Sequence, residues 1–387
     1  MSEPGYSAPF PWFGGKSRVA SLVWERFGDV AHYVEPFFGS GAVLLGRLDW
    51  SSDSSAVETV NDKDGFIANV FRAIRQEPAA VVEWADWPVN EADLHARHCW
   101  LLERRDALVD RLMGDPNFCD AKIAGWWLWG VNCWIGSGWC RGDGPWGSVE
   151  VAPGDRQLVH LGDAGMGVHR KRVHLGSAGM GVHRKRVHLG DAGRGVHRKL
   201  VHLGSAGRGV HRKLVHLGSA GRGDGAGFGA AGLDAWIAAL SERLRRVRVC
   251  CGDWMRICDS EAALFPARGQ TTGVFLDPPY STDERTDGLY AQDDGEVAAA
   301  VRDWCVRWGA DPRLRIVLCG YDGEGHEALA AAGWTQTAWK AHGGYGSQGD
   351  GGEGSGDGRA NKLRERLWWS PACIPVKQCD LFVEAPR

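Results

Sequence analysis

The segment best equipped for chemistry is an apolar run ending in Asp-Pro-Pro-Tyr: Val274-Phe275-Leu276-Asp277-Pro278-Pro279-Tyr280. Read as a strand and its exit loop, it presents the Asp277 carboxylate and the Pro278 carbonyl as acceptors. Pro278 and Pro279 fix the backbone there and offer no competing N–H. An amino group held in this loop would donate one hydrogen to each acceptor, and the Tyr280 ring would stack on the planar base that carries it. The same residues also make a rigid turn after a strand, so a ligand site needs support from elsewhere.

That support begins at Val34-Glu35-Pro36-Phe37-Phe38-Gly39-Ser40-Gly41, a short strand entering a glycine-rich turn ahead of the helix-like run Ala42 to Leu48. Such a turn lets backbone approach a nucleotide-like ligand at a strand's carboxyl end. It is no dinucleotide fingerprint, because the third glycine or alanine of that pattern would fall on Leu44. Asp62 lies 21 residues past Gly41, directly after the strand-like Glu58 to Val60, where a carboxylate can bond both ribose hydroxyls. An adenosyl ligand without a pyrophosphate suits this arrangement, although an ordinary Gly-rich turn between strand and helix reads the same way. Upstream, Pro11-Trp12-Phe13-Gly14-Gly15-Lys16-Ser17 imitates a phosphate-binding loop only at its Gly-Lys-Ser end. The full spacing requires glycine where Phe10 stands, and no strand precedes it.

Taken in order, Trp12 to Lys16, Glu35 to Gly41 and Asp277 to Tyr280 resemble the W-x-G-G-K, E-P-F-x-G-x-G and D-P-P-Y segments of the Dam-like class of DNA adenine-N6 methyltransferases. The resemblance covers roughly residues 8 to 80 and 245 to 385. It implies S-adenosyl-L-methionine as cofactor, held by Trp12, Lys16, Glu35, Phe37, Gly39, Gly41, Asp62, Asp253 and Asp277, with Asp277, Pro278, Pro279 and Tyr280 as the catalytic loop. No metal is implied. The expected reaction is methyl transfer to the N6 of an adenine flipped out of the duplex. Cytosine N4, an RNA adenine or a protein glutamine amide are alternative acceptors on the same fold, and a catalytically inactive DNA-binding homologue is the alternative outside enzymology. The 14-residue repeats described below are no fixed part of the family pattern.

The elements that must position these motifs alternate. Strand-like segments are His32 to Val34, Val249 to Asp253, Val274 to Leu276 and Arg315 to Cys319, and Asp64 to Gln76 is helix-like with Phe66, Val70 and Ile74 on one face. A closing pair spans Gly333 to Ala341 and Leu363 to Ser370. This pattern predicts an α/β fold: a doubly wound, Rossmann-like methyltransferase sheet with an antiparallel C-terminal hairpin, plus an inserted target-recognition region. Residues 1–90 and 245–387 are expected to form the catalytic domain and 91–244 the insertion. Trp126, Trp127, Trp129, Trp134, Trp139 and Trp146 cluster in that insertion, mostly as core, with one or two expected to face DNA bases.

Between Val159 and Arg222 a unit of the form V-H-L-G-(D/S)-A-G-(M/R)-G-V-H-R-K-(R/L) recurs every 14 residues. The block carries thirteen Lys or Arg against two acids, a net +11, which leaves −14 for the rest of a chain of net charge −3. A basic insert in an acidic body points to a polyanion, here double-stranded DNA, with a cognate restriction nuclease left open. A stack of hairpins and an unstructured duplicated loop both fit the repeats, and Gly343 to Gly358 forms a second glycine-rich stretch. The eleven cysteines include no CxxC pair and no histidine at zinc spacing, so free thiols are expected. No leader pattern and no run of ~18 apolar residues is present, which predicts a cytoplasmic protein without a membrane partner.

Overall fold

The computed structural model describes residues 6–12, 15–47, 50–51, 54–134, 139–140, 232–265, 270–279, 294–339 and 364–375. The repeats 159–222, Tyr280, Trp146 and the stretch 343–358 lie outside the described residues. The described strands are β1 (His32–Glu35), β2 (Val57–Asp62), β3 (Val247–Cys251), β4 (Thr272–Leu276), β5 (Leu314–Tyr321), β6 (Thr335–Ala338) and β7 (Glu365–Trp369). The helices are α1 (Ala20–Phe27), α2 (Ala42–Leu45), α3 (Gly65–Gln76), α4 (Pro78–Ala85), α5 (Glu91–Leu102), α6 (Arg105–Gly114), α7 (Ala121–Cys133), α8 (Gly232–Leu244), α9 (Glu261–Leu264) and α10 (Asp294–Trp308), joined by 3-10 turns at Trp254–Ile257 and His326–Ala332.

The strands form one seven-stranded sheet in the order β3-β2-β1-β4-β5-β7-β6. The first five are parallel, while β7 runs antiparallel to both β5 and β6. The fold is therefore α/β with a mostly parallel mixed sheet, and the closing pair expected from the sequence is its antiparallel edge. β1 and β4 are buried along their whole length, as central parallel strands covered on both faces must be. Alternate residues feed two cores. Tyr33, Phe275, Val317, Leu367 and Trp369 pack with Val23, Trp24 and Phe27 of α1, whereas Val34, Val274, Ile316, Leu318 and Trp368 pack with Val301, Trp304 and Cys305 of α10. From β1 the chain moves outward through β2 to β3 and then returns to the other side of β1 as β4, so the strand order reverses between β1 and β4. In open α/β sheets the ligand crevice opens at that reversal, beyond the carboxyl ends of the strands.

α3 is the helix expected over Asp64 to Gln76, with Phe66, Val70 and Ile74 buried, and its burial goes further. All ten residues from Gly65 to Ile74 are buried, because the helix lies between the sheet on one side and α6, α7 and α8 on the other. Asp64 caps it by accepting from the Phe66 amide at 2.9 Å. Arg72, buried mid-helix, donates through Nε to the Val249 carbonyl at 2.9 Å and through Nη1 to that of Asp115 at 2.9 Å. Its charge thus spends its donors on carbonyls and locks α3 to β3. α4 to α7 and α8 share the apolar cluster of the α1 face, so the described helices of 91–133 and 232–244 are packed onto the sheet unit. Trp127, Trp129, Trp134 and Trp139 are buried and Trp126 is half-buried. Ten cysteines of the described residues are free thiols, and no helix among those residues is long and apolar enough to cross a membrane.

Candidate functional site

The loops at the carboxyl ends of β1, β2 and β3 are tied together by backbone and by one asparagine. Phe38 N–H donates to the Asn61 carbonyl at 3.0 Å, and Gly252 N–H to that of Asp62 at 3.1 Å. The buried Asn61 side chain donates to the Pro36 carbonyl at 3.2 Å and the Gly252 carbonyl at 2.9 Å, and its Oδ1 has no hydrogen-bond partner among the described residues. Gly39 and Gly41 stand at φ 50° and 70°, where a side chain is strained. A Cβ on Gly39 would also come within 2.8 Å of the Trp12 indole. Trp12 is thereby held against the glycine turn, although 27 positions separate it from Gly39.

Asp62 closes the turn from the other side. Its Oδ2 accepts from Gly39 N–H at 2.8 Å and its Oδ1 from Asp64 N–H at 2.8 Å. Burial and the Asp64 charge push this carboxyl up to about 7, against the amides of Asp64, Gly39 and Lys63, which favour the anion. Glu35 is buried under the turn, where the Tyr33 hydroxyl donates to its Oε2 at 2.8 Å. Burial holds its carboxyl well above the usual range, with the Asp277 and Asp62 charges adding to the effect and the Tyr33 hydroxyl and Leu44 amide opposing it. Phe37 stacks on Trp254 at 6.0 Å between ring centroids. The exposed Asp253 accepts from Met255 N–H at 2.9 Å and caps the 3-10 turn after β3.

Asp277 follows β4 directly, in the reversal crevice. Lys16 Nζ lies 2.9 Å from its Oδ2, with the two side chains 5% and 23% exposed. Burial works against the Lys16 charge, but the Asp277 carboxylate beside it outweighs burial and holds the ammonium's pKa above its ordinary value. Leu276 pairs with Leu318 in the sheet, so Asp277 comes beside Cys319. The Cys319 thiol is pushed far up by burial and by the Asp277 charge, and it hydrogen-bonds Asp277. The Trp339 ring lies 5.5 Å from Lys16 Nζ. Pro278 is buried and Pro279 half-buried behind Asp277.

The fold thus gathers Trp12, Lys16, Glu35, Gly39, Gly41, Asp62 and Asp277 at one end of the sheet, with Phe37 and Asp253 on its β3 flank. Lys16, expected against the cofactor, has its ammonium on the Asp277 carboxylate. Sequence reasoning passed over Asn61, Cys319, Trp339 and Glu365. For Glu365 a signal was present: in Glu365-Arg366-Leu367-Trp368-Trp369 it shares the inward parity of Leu367 and Trp369, and an acid at an inward strand position needs a reason. A separate small cleft lined by Arg47, Trp50, Glu58, Arg243 and Arg246 lies at the amino end of β2, away from these residues. No model of a known protein family matches the chain, and a search among curated proteins finds no match.

Proposed function

We propose that this chain is an S-adenosyl-L-methionine-dependent DNA methyltransferase that methylates adenine at N6. The observation that carries the reading is the meeting of three motifs from distant parts of the chain at the strand-order reversal, with Lys16 of the first on Asp277 of the last at 2.9 Å. The residues present fit the cofactor. Gly39 and Gly41 leave a turn free of side-chain bulk, Asp62 offers a carboxyl to ribose hydroxyls, Trp12 and Phe37 supply aromatic walls, and Glu35 and Asp253 add acids around a cation. When bound, the cofactor supplies an electrophilic methyl group on a sulfonium.

The chain's own residues do the rest. The amino nitrogen of adenine is a poor nucleophile because its lone pair is delocalised into the ring. Asp277 accepts one of its hydrogens and the Pro278 carbonyl the other, which favours a pyramidal nitrogen with its lone pair available for attack. Lys16 holds the Asp277 carboxylate in place at 2.9 Å, so the acceptor needs no reorganisation during the step. The nitrogen then sheds a proton to Asp277 or water, and no covalent bond to the protein forms. DNA is assigned as substrate from the +11 charge of residues 159–222, which would bind phosphates.

The test is mass analysis of nucleosides from DNA of a host expressing the chain, beside a host expressing Asp277→Ala. N6-methyladenine is expected with the parent and absent with the variant. N4-methylcytosine in its place, or unmodified DNA with both chains, overturns the reading.

A further inference from the structure

The parallel register brings the end of β2 between the loops that leave β1 and β3. Val60 pairs with Glu35 and Asn61 with Cys250, so the Asn61 side chain comes between Pro36, one residue past β1, and Gly252, one residue past β3. It is 1% exposed. Both hydrogens of its amide go to main chain, one to the Pro36 carbonyl at 3.2 Å and one to the Gly252 carbonyl at 2.9 Å. The Asn61 carbonyl adds a third tie by accepting from the Phe38 amide at 3.0 Å. Its Oδ1, by contrast, is buried with no hydrogen-bond partner among the described residues, and an acceptor left unmade in the interior costs stability. A side chain that carries that cost for the sake of two donors is placed for the geometry it holds. Phe37 lies between the tied residues Pro36 and Phe38, and Asp253 and Trp254 directly follow Gly252. The Phe37 and Trp254 rings stack at 6.0 Å across the two loops.

On the reading of this end of the sheet as the cofactor site, we propose that Asn61 is a positioning residue for cofactor binding. It fixes the spacing between the Phe37 loop and the Asp253 loop and so sets the affinity for the adenosine part of the cofactor, leaving methyl transfer to Asp277 and Pro278. Asn61 and its neighbour Asp62 divide the work. Asp62 holds the glycine turn through the Gly39 amide at 2.8 Å, while Asn61 holds the flank on which Phe37 and Asp253 stand. The shape of the side chain is not enough for this, because the two carbonyls need donors. Asn61→Asp keeps the shape but sets acceptors against both carbonyls, and Asn61→Ala removes the donors without adding a charge. Either change leaves the Pro36 and Gly252 carbonyls without their side-chain donor and frees the two loops to separate.

The test uses the full chain with Asn61→Ala and Asn61→Asp, and with Val23→Ala in the α1-face core as a destabilised control away from these loops. Calorimetry should show S-adenosyl-L-homocysteine binding about tenfold or more weaker in both Asn61 variants. Methylthioadenosine, which keeps the adenosine and lacks the amino-acid end, should lose affinity by the same factor to within about twofold. At saturating cofactor, single-turnover methyl transfer should stay within about threefold of the parent, which puts the defect in binding. With no ligand present, hydrogen exchange should quicken at the Phe38 and Gly252 amides and not at those of β4. Unchanged exchange at Phe38 and Gly252, parent affinity in Asn61→Asp, or an equal loss of affinity in Val23→Ala overturns the proposal. If exchange responds but the parent binds neither ligand, the tie between the two loops stands and the methyltransferase reading falls.

Discussion

Two buried clusters at opposite ends of the same sheet solve the problem of buried charge differently. At the amino end of β2, Glu58 is clasped by Arg243 through two bonds of 2.6 and 2.9 Å, with Arg47 at 3.4 Å. Arg243 also donates to the Leu44 carbonyl at 2.8 Å, and Trp50 and Trp24 cover the two guanidinium groups. Here two cations serve one carboxylate. At the carboxyl end Lys16 meets Asp277 at 2.9 Å, and Asp277 keeps 23% of its side chain exposed. A cluster that only holds the fold together is closed by excess donors. The other keeps its carboxylate partly open to solvent at a strand-order reversal, where a ligand crevice opens in such sheets.

The sharpest way to break this contrast is Glu58→Ala, which strands two buried arginines. Removing one partner of a buried pair costs about 3–5 kcal/mol, so denaturant unfolding should show a loss of that size, and a loss under about 1 kcal/mol would show the amino-end cluster to be dispensable. Asp277→Ala should do the opposite. Asp277 is already partly open to solvent, whereas Glu58 is buried between two arginines, so stability should fall less than for Glu58→Ala. Methyl transfer should drop on the order of 100-fold or more, as for removal of other preorganised polar groups. Equal destabilisation by the two substitutions would erase the distinction.

Gly39→Ala probes the turn between the clusters. At φ 50°, with the Trp12 indole 2.8 Å from the new Cβ, it should cost roughly 1–2 kcal/mol and weaken cofactor binding. Calorimetry of the variant against the parent checks both. The smallest effect concerns pH. The Asp62 carboxyl lies near 7 in the folded chain and about 3.9 unfolded, so its neutral form is the one the fold prefers. Its contribution to stability is complete below the unfolded value and is lost as pH rises from there through about 7. A sulfonium favours the anion, so cofactor affinity should rise a few-fold between pH 6 and 8 with release of protons. Titration calorimetry in two buffers measures this, and an affinity that falls with pH would remove Asp62 from the cofactor's surroundings.

The strands and their motifs were legible because they rest on local rules. An apolar run closed by Asp277-Pro278-Pro279 marks a strand end, and the closing pair shows its alternation in Glu365 to Trp369. For α3 the periodicity reported the helix and one buried face, and only the second layer of helices shows that the other face is buried too. Asn61 was unreadable for a similar reason. An asparagine before Asp62 looks like any polar strand end until the carbonyls of Pro36 and Gly252 come within its reach.

By itself, then, the sequence determined which residue types stand at the ends of which strands, since period-2 burial and proline or glycine stops act over a few neighbouring residues. Tertiary structure alone decided that Lys16 meets Asp277 across 261 positions of chain, and that Glu365 is buried with an unmatched oxygen near them. The physical reason is range. Backbone preferences are local, whereas the Coulomb and desolvation energies of buried charges depend on what the folded chain brings within a few ångströms.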